Sequence, residues 1–358
     1  MTRAAWVEID RSALRHNLAV ARQHAHGARV IAVIKANGYG HGQLRVAEQL
    51  RDADAFAVAS VDEALRLRKS GFDHPIVLLA GVLDAEELAL IADRDIEPVI
   101  HQAAQLDLFR NSPVSSRFRV WLKLDTGMHR LGFDVAGFRQ AYEVLRSMPE
   151  VVSEIRFLTH LANADDRNDA LTQTQLALFD TVTAGMDGAR SAANSGGVMG
   201  WPSASYDWVR PGLMLYGVSP FLNSLGVYEN LKPVMAFKTR LIAIKALNAG
   251  DRVGYGGHFT APQAMRMGVI AAGYGDGYPR HVDTRAEVLL NGKRARIIGR
   301  VSMDLICIDL SGQDQAALGD EVVLWGPGLP VETVASYAGT IPYELLCQVA
   351  ERVRVHEI

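Results

Sequence analysis

The chain has 358 residues, 49% of them hydrophobic and 22% charged, and a formal net charge of −3 at pH 7. A chain this long buries roughly three quarters of the surface it exposes when unfolded and exceeds the ~100–200 residues of one domain, so a large domain plus a smaller one is expected. The composition excludes disordered and fibrous classes, no apolar run reaches the ~18 residues of a membrane span, and the interspersed Lys and Arg leave no basic footprint for nucleic acid.

A small-molecule ligand is therefore expected, with no nucleic-acid or membrane partner. The N-terminal stretch "MTRAAWVEIDRSALRHNL" lacks an apolar core and a small-residue cleavage site, and reads as mature and cytoplasmic. Cys307 and Cys347 are expected to be reduced, and their spacing gives no metal site.

In chain order, short runs rich in β-branched residues predict strands over 30–36, 55–60, 75–80, 96–100, 118–125, 155–162, 189–195 and 212–217. Amphipathic stretches alternate with them. Residues 11–25 form one, and residues 61–71 another, where Ser60 and Glu63 have capping-box spacing and Gly71 ends the run. Eight strand–helix units predict an α/β fold with an N-terminal (β/α)8 barrel. "GYGHG" has the wrong glycine spacing for a dinucleotide fingerprint.

After about residue 230 the texture changes to strands joined by short turns, with Asn-Gly in "LNGK" as a hairpin signal. The expected organisation is a barrel over 1–230 and a C-terminal all-β domain over 231–358, divided near "ENLKPV".

Catalytic groups of such a barrel sit at the C-terminal ends of its strands, and phosphate is often held after strands seven and eight. Lys35 falls at the end of the first strand, Arg130 after the fifth, His160 near the end of the sixth, Asn194 and Ser195 after the seventh, and Arg210 with Gly212 at the eighth. By position alone, Lys35 is a charged cap on an apolar strand. Partial burial would instead lower its pKa and make it a nucleophilic amine, suited to pyridoxal phosphate if a phosphate cradle lies on the same rim. "NSGG" over 194–197 offers a hydroxyl and free backbone N–H groups.

"AVIKANGYGHG", "KLDTGMHRLGF", "THLANAD", "VRPGLMLYG", "VGYGGHF", "GYGDGYPR", "GRVSMD" and "IPYELLC" occur in this order across nearly the whole chain. Together they resemble alanine racemase, a pyridoxal-phosphate isomerase family.

The resemblance implies that Lys35 holds pyridoxal 5'-phosphate as a Schiff base and serves as base or acid on the D side of the substrate Cα, with Tyr255 serving on the L side. Inverting a carbon centre needs a proton donor on the face opposite the base. An unperturbed tyrosine costs roughly 4 kcal/mol to ionise at pH 7, and the resemblance gives His160 the part of linking Tyr255 to Arg210. Arg210 would face the pyridine nitrogen.

Tyr39, Ser195, Tyr343 and the backbone of Gly212 and Leu213 would hold the phosphate, with Asn194 adjacent. Arg130 would bind the phenolic oxygen of the cofactor and approach the substrate carboxylate, to which Met303 would offer its N–H. Lys123 matches a position that is carbamylated in some members. Tyr255, Tyr274, Met303 and Asp304 would reach the site of a second copy in a homodimer, and Tyr255, Tyr274 and Tyr343 would narrow the entrance in favour of alanine.

The expected activity is interconversion of L- and D-alanine for peptidoglycan. A broad-specificity amino-acid racemase on the same scaffold, a fold-related decarboxylase and a non-catalytic pyridoxal-phosphate carrier are the alternatives. Two departures from the family pattern stand out: glycines after Ser195 where small alanines are expected, and the ending "RVRVHEI".

Overall fold

A computed structural model describes residues 4–111 and 116–358. The first strand, β1 (Trp6–Ile9), stays out of the barrel. Eight parallel strands close the ring: β2 (Arg29–Val33), β3 (Ala55–Val58), β4 (Ile76–Leu78), β5 (Ile96–Ile100), β6 (Phe118–Lys123), β7 (Val152–Leu158), β8 (Arg190–Ser191) and β9 (Trp208–Val209). Closure is made by β2 against β9, with Arg29 opposite Trp208 and Val30 opposite Val209. Strands β3, β4 and β5 are buried along their whole length. With helices outside and packed side chains inside, both faces of a parallel strand are dry, which is why these segments read as continuous apolar runs.

The helices start where side chains can satisfy their free N–H groups. Asp10 accepts from Ser12 N (2.8 Å) and Ala13 N (3.0 Å) to cap Arg11–His24, a contact typically worth about 1 kcal/mol. Asp134 caps Val135–Arg146 through Gly137 N at 2.7 Å, and that helix buries Phe138, Ala141, Tyr142 and Leu145, a stripe of helical spacing.

The run at 212–217, expected as the eighth strand, is a 3-10 turn, Leu213–Tyr216, and the strand is the two-residue β9 just before Pro211. All four turn residues are buried, so no alternation marks their conformation, and a short apolar run cannot be assigned by periodicity alone. Likewise the stretch expected extended over 189–195 keeps only Arg190–Ser191 as strand, because Asn194 caps a helix beginning at Ser195.

The barrel interior carries charge at its N-terminal end. Glu97 is 1% exposed and accepts from Arg156 Nη1 (2.9 and 3.1 Å), Arg119 Nε (2.8 Å) and Trp121 Nε1 (2.7 Å). Arg156 also lies over the rings of Trp121 and Trp208. Along β6, Arg119, Trp121 and Lys123 share one face by the two-residue period of a strand. The same face thus carries a paired cation at the floor and, at the rim, one with no ion pair among the described residues.

The second unit is built from β10 (Met235–Leu247), the small hairpin β11 (Arg252–Val253) and β12 (Phe259–Thr260), then β13 (Met265–Ile270), β14 (Glu287–Leu290), β15 (Lys293–Arg296), β16 (Ile306–Asp309), β17 (Glu321–Trp325) and β18 (Arg354–Glu357). Its main path runs β15-β14-β17-β10-β1-β18, with β13 joining β10 to β16. Asn291 and Gly292 both have positive φ, as the two-residue hairpin between β14 and β15 requires.

Residues 6–9, expected within the first domain, belong to this sheet: β1 is antiparallel to β10 and parallel to β18. Two short helices, Val331–Ala338 and Pro342–Cys347, accompany the strands, and the second packs on the barrel rim.

Candidate active site

β2 ends at Val33, so Lys35 stands two residues past the strand and opens the short turn Lys35–Tyr39. The strand expected to reach residue 36 stops early because Ala36 (φ 52°), Asn37 (φ 53°), Gly38 (φ 63°) and Tyr39 (φ 51°) all adopt the left-handed region. That conformation costs an L-residue roughly 1–2 kcal/mol, and three of the four are not glycine. Surrounding contacts must hold such a turn in place. A Cβ on Gly40 would lie 2.0 Å from the carbonyl oxygen of Leu346, so the helix bearing Tyr343 seats directly against the turn.

Glu63 is the first of those contacts. Ser60 Oγ accepts from Glu63 N at 3.4 Å, but the returning half of the capping box does not form. The Glu63 carboxylate instead accepts from Ala36 N (2.7 Å) and Ala59 N (2.8 Å), tying the helix Val61–Lys69 to the residue after Lys35. Asn37 Oδ1 accepts from Gln43 N at 3.0 Å.

Lys35 is partly buried, and its pKa falls below the ordinary lysine value through burial first and the neighbouring Arg130 cation second, with Glu63 opposing. Arg130 is presented by a loop that Asp125 organises: one carboxylate oxygen accepts from the N–H groups of Gly127, Met128 and His129 at 2.9–3.1 Å. Lys123, 7% exposed, is pushed down to about 8 by burial, then by Arg210 and Arg130. His160 is held well below its usual value by burial and by Arg210, Lys123, Arg130 and Lys35, so its ring is neutral at neutral pH. Five basic side chains therefore share one rim.

Arg210, 3% exposed, is pushed down to about 9 by burial. Its Nη1 donates to Ser191 Oγ (2.6 Å), and its Nη2 to the carbonyls of Thr159 (2.6 Å) and Ala192 (3.2 Å). Since a guanidinium has five N–H groups, Nε–H and one Nη1–H are left without a hydrogen-bond partner among the described residues. Among the described residues, the expected Tyr255–His160–Arg210 hydrogen-bonded chain is not formed within one copy.

A second cluster adjoins the turn. Ser195 Oγ accepts from Gly212 N (2.9 Å) and Met214 N (3.3 Å), and the Tyr39 hydroxyl comes so near Gly212 that a Cβ there would lie 2.6 Å from it. Tyr39 stacks on Tyr216 with ring centroids 4.6 Å apart and approaches Tyr343 at 5.8 Å. Two hydroxyls and the N–H groups opening Leu213–Tyr216 thus converge.

Asn194 stands beside them with both ends of its carboxamide engaged, accepting from Gly197 N (3.0 Å) and donating to Leu161 O (3.2 Å). The glycine that departs from the family pattern at 196 has a local cause: a Cβ there would meet the Ala164 carbonyl oxygen at 2.8 Å.

The remaining expected site residues lie on the second unit. Tyr255 is 72% exposed in a turn with Arg252 donating to the Gly256 and Gly257 carbonyls. Tyr274 and Met303 form one platform through Tyr274 N to Ser302 O (3.1 Å) and Gly275 N to Met303 O (2.9 Å), and Arg352 links Asp304 (2.8 Å) to buried Asp276 (3.0 Å). Among the contacts of the described residues, none joins Tyr255 to the Lys35 cluster. One copy brings together the amine, the cations and the cluster of Tyr39, Ser195 and Gly212, and leaves Tyr255 outside.

Sequence reasoning missed Glu63 and Tyr216 as parts of the site. Glu63 was visible only as a helix cap, and Tyr216 lay within "VRPGLMLYG" without a role.

The fold and rim define a two-unit barrel protein that brings an amine, several cations and a cluster of hydroxyl and backbone N–H groups to one end of the barrel. Residues 9–220 match the family model for the alanine racemase N-terminal domain, and residues 234–357 match that for the C-terminal domain. The alanine racemase of Nitrosococcus oceani is 52% identical over 346 residues, 96% of this chain and 97% of that one. The crystal structure of the biosynthetic alanine racemase of Pseudomonas aeruginosa superposes with a TM-score of 0.97 at 42% identity, covering all of both chains. That of Bartonella henselae, described with covalently bound pyridoxal phosphate, superposes with a TM-score of 0.89 at 31% identity over 99% of each chain. The chain belongs to the alanine racemase family.

Proposed function

We propose that this protein is a pyridoxal-phosphate-dependent racemase that interconverts L- and D-alanine, working as a cytoplasmic homodimer that supplies D-alanine for peptidoglycan. The observation that carries the reading is the pairing of a partly buried amine, Lys35, with an anion cradle of Tyr39, Ser195 and the N–H groups at 212–214 on the same rim.

The donor set suits pyridoxal phosphate. The cradle offers hydroxyl and backbone donors suited to a phosphate, Lys35 offers an amine for an aldehyde, and Arg210 keeps two free N–H groups for a ring acceptor. The glycine at 212 keeps open the space beside the Tyr39 hydroxyl that a methyl would fill. When bound, the cofactor supplies an electron sink that makes the α-hydrogen of the amino acid acidic. Because a guanidinium does not readily release a proton, Arg210 would leave the ring nitrogen unprotonated, which restrains that sink.

Lys35 would exchange the proton at Cα on one face, aided by a pKa lowered toward the working range. Tyr255 would act on the opposite face. Its exposure in a single chain supports its entering the site of a second copy, together with Tyr274, Met303 and Asp304. Arg130, beside Lys35, would hold the substrate carboxylate by charge and fork geometry, with Met303 N–H as a second donor. Neutral His160 would relay polarity from Arg210 toward Tyr255 once the two copies meet.

Lys123 lies among cations with a pKa near 8, so a reactive fraction of free amine exists at neutral pH, which supports its carbamylation. An added negative charge there would pair with Arg130 and Arg210. A carrier made of the barrel alone is disfavoured by the second unit, which matches the family's C-terminal domain over 234–357.

The test is α-hydrogen exchange in deuterated water. The purified holoenzyme is expected to wash deuterium into both alanine enantiomers and to interconvert them. Exchange of neither enantiomer would refute the reading, and a broad amino-acid panel would separate alanine from larger substrates.

A further inference from the structure

We propose that His41 and Glu63 are positioning residues for the reaction, clamping the left-handed turn at 36–39 from its two ends and so fixing Lys35 and Tyr39. The inference deepens the proposed function and rests on its assignment of Lys35 and Tyr39 to the cofactor.

The turn is unfavourable in its own right, since Ala36, Asn37 and Tyr39 are L-residues at φ 51–53°. Lys35 precedes the left-handed turn and Tyr39 closes it. Any relaxation toward ordinary backbone angles moves the amine and the hydroxyl relative to each other.

At the leading end Glu63 accepts from Ala36 N. At the trailing end His41 Nδ1 lies 2.8 Å from the carbonyl oxygen of Tyr39 and 3.1 Å from that of Gly38. Two carbonyl acceptors require that Nδ1 carry the hydrogen. Nε2 is then the unprotonated nitrogen, and it is buried without a partner among the described residues. Leaving a buried polar atom unsatisfied is costly, and a leucine of similar volume would avoid that cost. What the ring contributes is therefore its Nδ1–H.

The ring is also packed into the site. It lies 4.7 Å from the Tyr216 ring, which stacks on Tyr39 and donates its hydroxyl to the Val33 carbonyl at 3.1 Å, at the last residue of β2. Arg45 Nη1 donates to the His41 carbonyl at 2.6 Å. Strand end, turn and cradle are joined through this group.

The substitutions His41→Leu and His41→Asn separate donor from bulk, because the asparagine Nδ2–H can stand where the Nδ1–H stood, and Glu63→Met removes both acceptor oxygens while keeping the bulk. Amide hydrogen exchange, measured with and without pyridoxal phosphate, is expected to quicken at residues 36–40 in His41→Leu while the helix Val61–Lys69 and the barrel strands keep their protection. Affinity for pyridoxal phosphate and kcat are expected to fall roughly 10- to 100-fold, the scale of a displaced reacting group.

His41→Asn is expected to recover exchange and affinity, and Glu63→Met, which has no acceptor oxygen, to quicken exchange at Ala36. Unchanged exchange at 36–40 in both His41→Leu and Glu63→Met would overturn the proposal. So would equal damage in the leucine and asparagine variants, which would mean packing alone. If His41→Leu fails to fold, the Ala36 amide in Glu63→Met decides. Should the unaltered protein neither bind pyridoxal phosphate nor racemise alanine, the proposed function falls, while the cofactor-free exchange still judges the clamp.

Discussion

The Tyr39 hydroxyl lies against Gly212, at 2.6 Å from the position of a Cβ on that glycine. Tyr39 is buried, stacked on Tyr216 and met by the tilted ring of Tyr343, and has little room to retreat. Gly212→Ala is therefore expected to displace the hydroxyl and weaken pyridoxal-phosphate binding by about 10-fold or more. Equilibrium dialysis checks this, and the overpacking is expected to lower the stability of the cofactor-free protein by about 1–3 kcal/mol, read by denaturant unfolding.

Lys123 is a buried cation whose pKa drops from 10.5 to about 8 through burial, Arg210 and Arg130. Between those values the unfolded chain holds the proton and the folded chain does not, so stability rises with pH across about 8 to 10.5, by up to roughly 3 kcal/mol. Below pH 8 the folded protein carries the full penalty. In bicarbonate-free buffer, Lys123→Met is expected to raise the unfolding temperature at pH 7 and to flatten the alkaline rise. In bicarbonate, the unaltered enzyme is expected to show a mass increment of one carbon dioxide, visible by native mass spectrometry.

His41 behaves in the opposite pH range. Its pKa is lowered from 6.5 to about 4 by burial, against the opposing carbonyls of Tyr39 and Gly38 and with a smaller push from Arg45. Between pH 4 and 6.5 the unfolded chain binds a proton that the folded chain refuses, so stability falls as pH drops through that window, by up to roughly 3 kcal/mol. His41→Asn is expected to remove part of this acid sensitivity in denaturant titrations at pH 4.5 and 7.

Glu97 balances two guanidinium groups at the barrel floor, away from the catalytic rim. Glu97→Gln leaves Arg156 and Arg119 without that charge and is expected to cost about 3–5 kcal/mol of stability. Activity per folded molecule should be kept, as steady-state rates well below the unfolding transition would show.

The barrel was legible because parallel strands buried on both faces leave unbroken apolar runs, as in "AFAV" and "IVL". The eighth strand was not, because Leu213–Tyr216 is buried all round and lacks a period that separates strand from 3-10 turn. Trp6–Ile9 reads as an ordinary strand, and nothing local says that it pairs with residues more than 220 positions away. The site residues were legible through motifs carried in order along the chain. Their coupling was not: the left-handed turn after Lys35 runs through alanine, asparagine and tyrosine, and Glu63 looked like a helix cap until its carboxylate was seen on Ala36.

In the proposed homodimer, Lys35, partly buried within its own chain, and Tyr255, 72% exposed in its own, form one site between two copies. Complementation tests it most directly. Lys35→Ala and Tyr255→Phe chains are each expected to be nearly inactive, and co-refolded heterodimers are expected to regain racemase activity, because one of their two sites then has both residues intact. Heterodimers that form, as native mass spectrometry would show, yet stay as inactive as either parent would contradict the account.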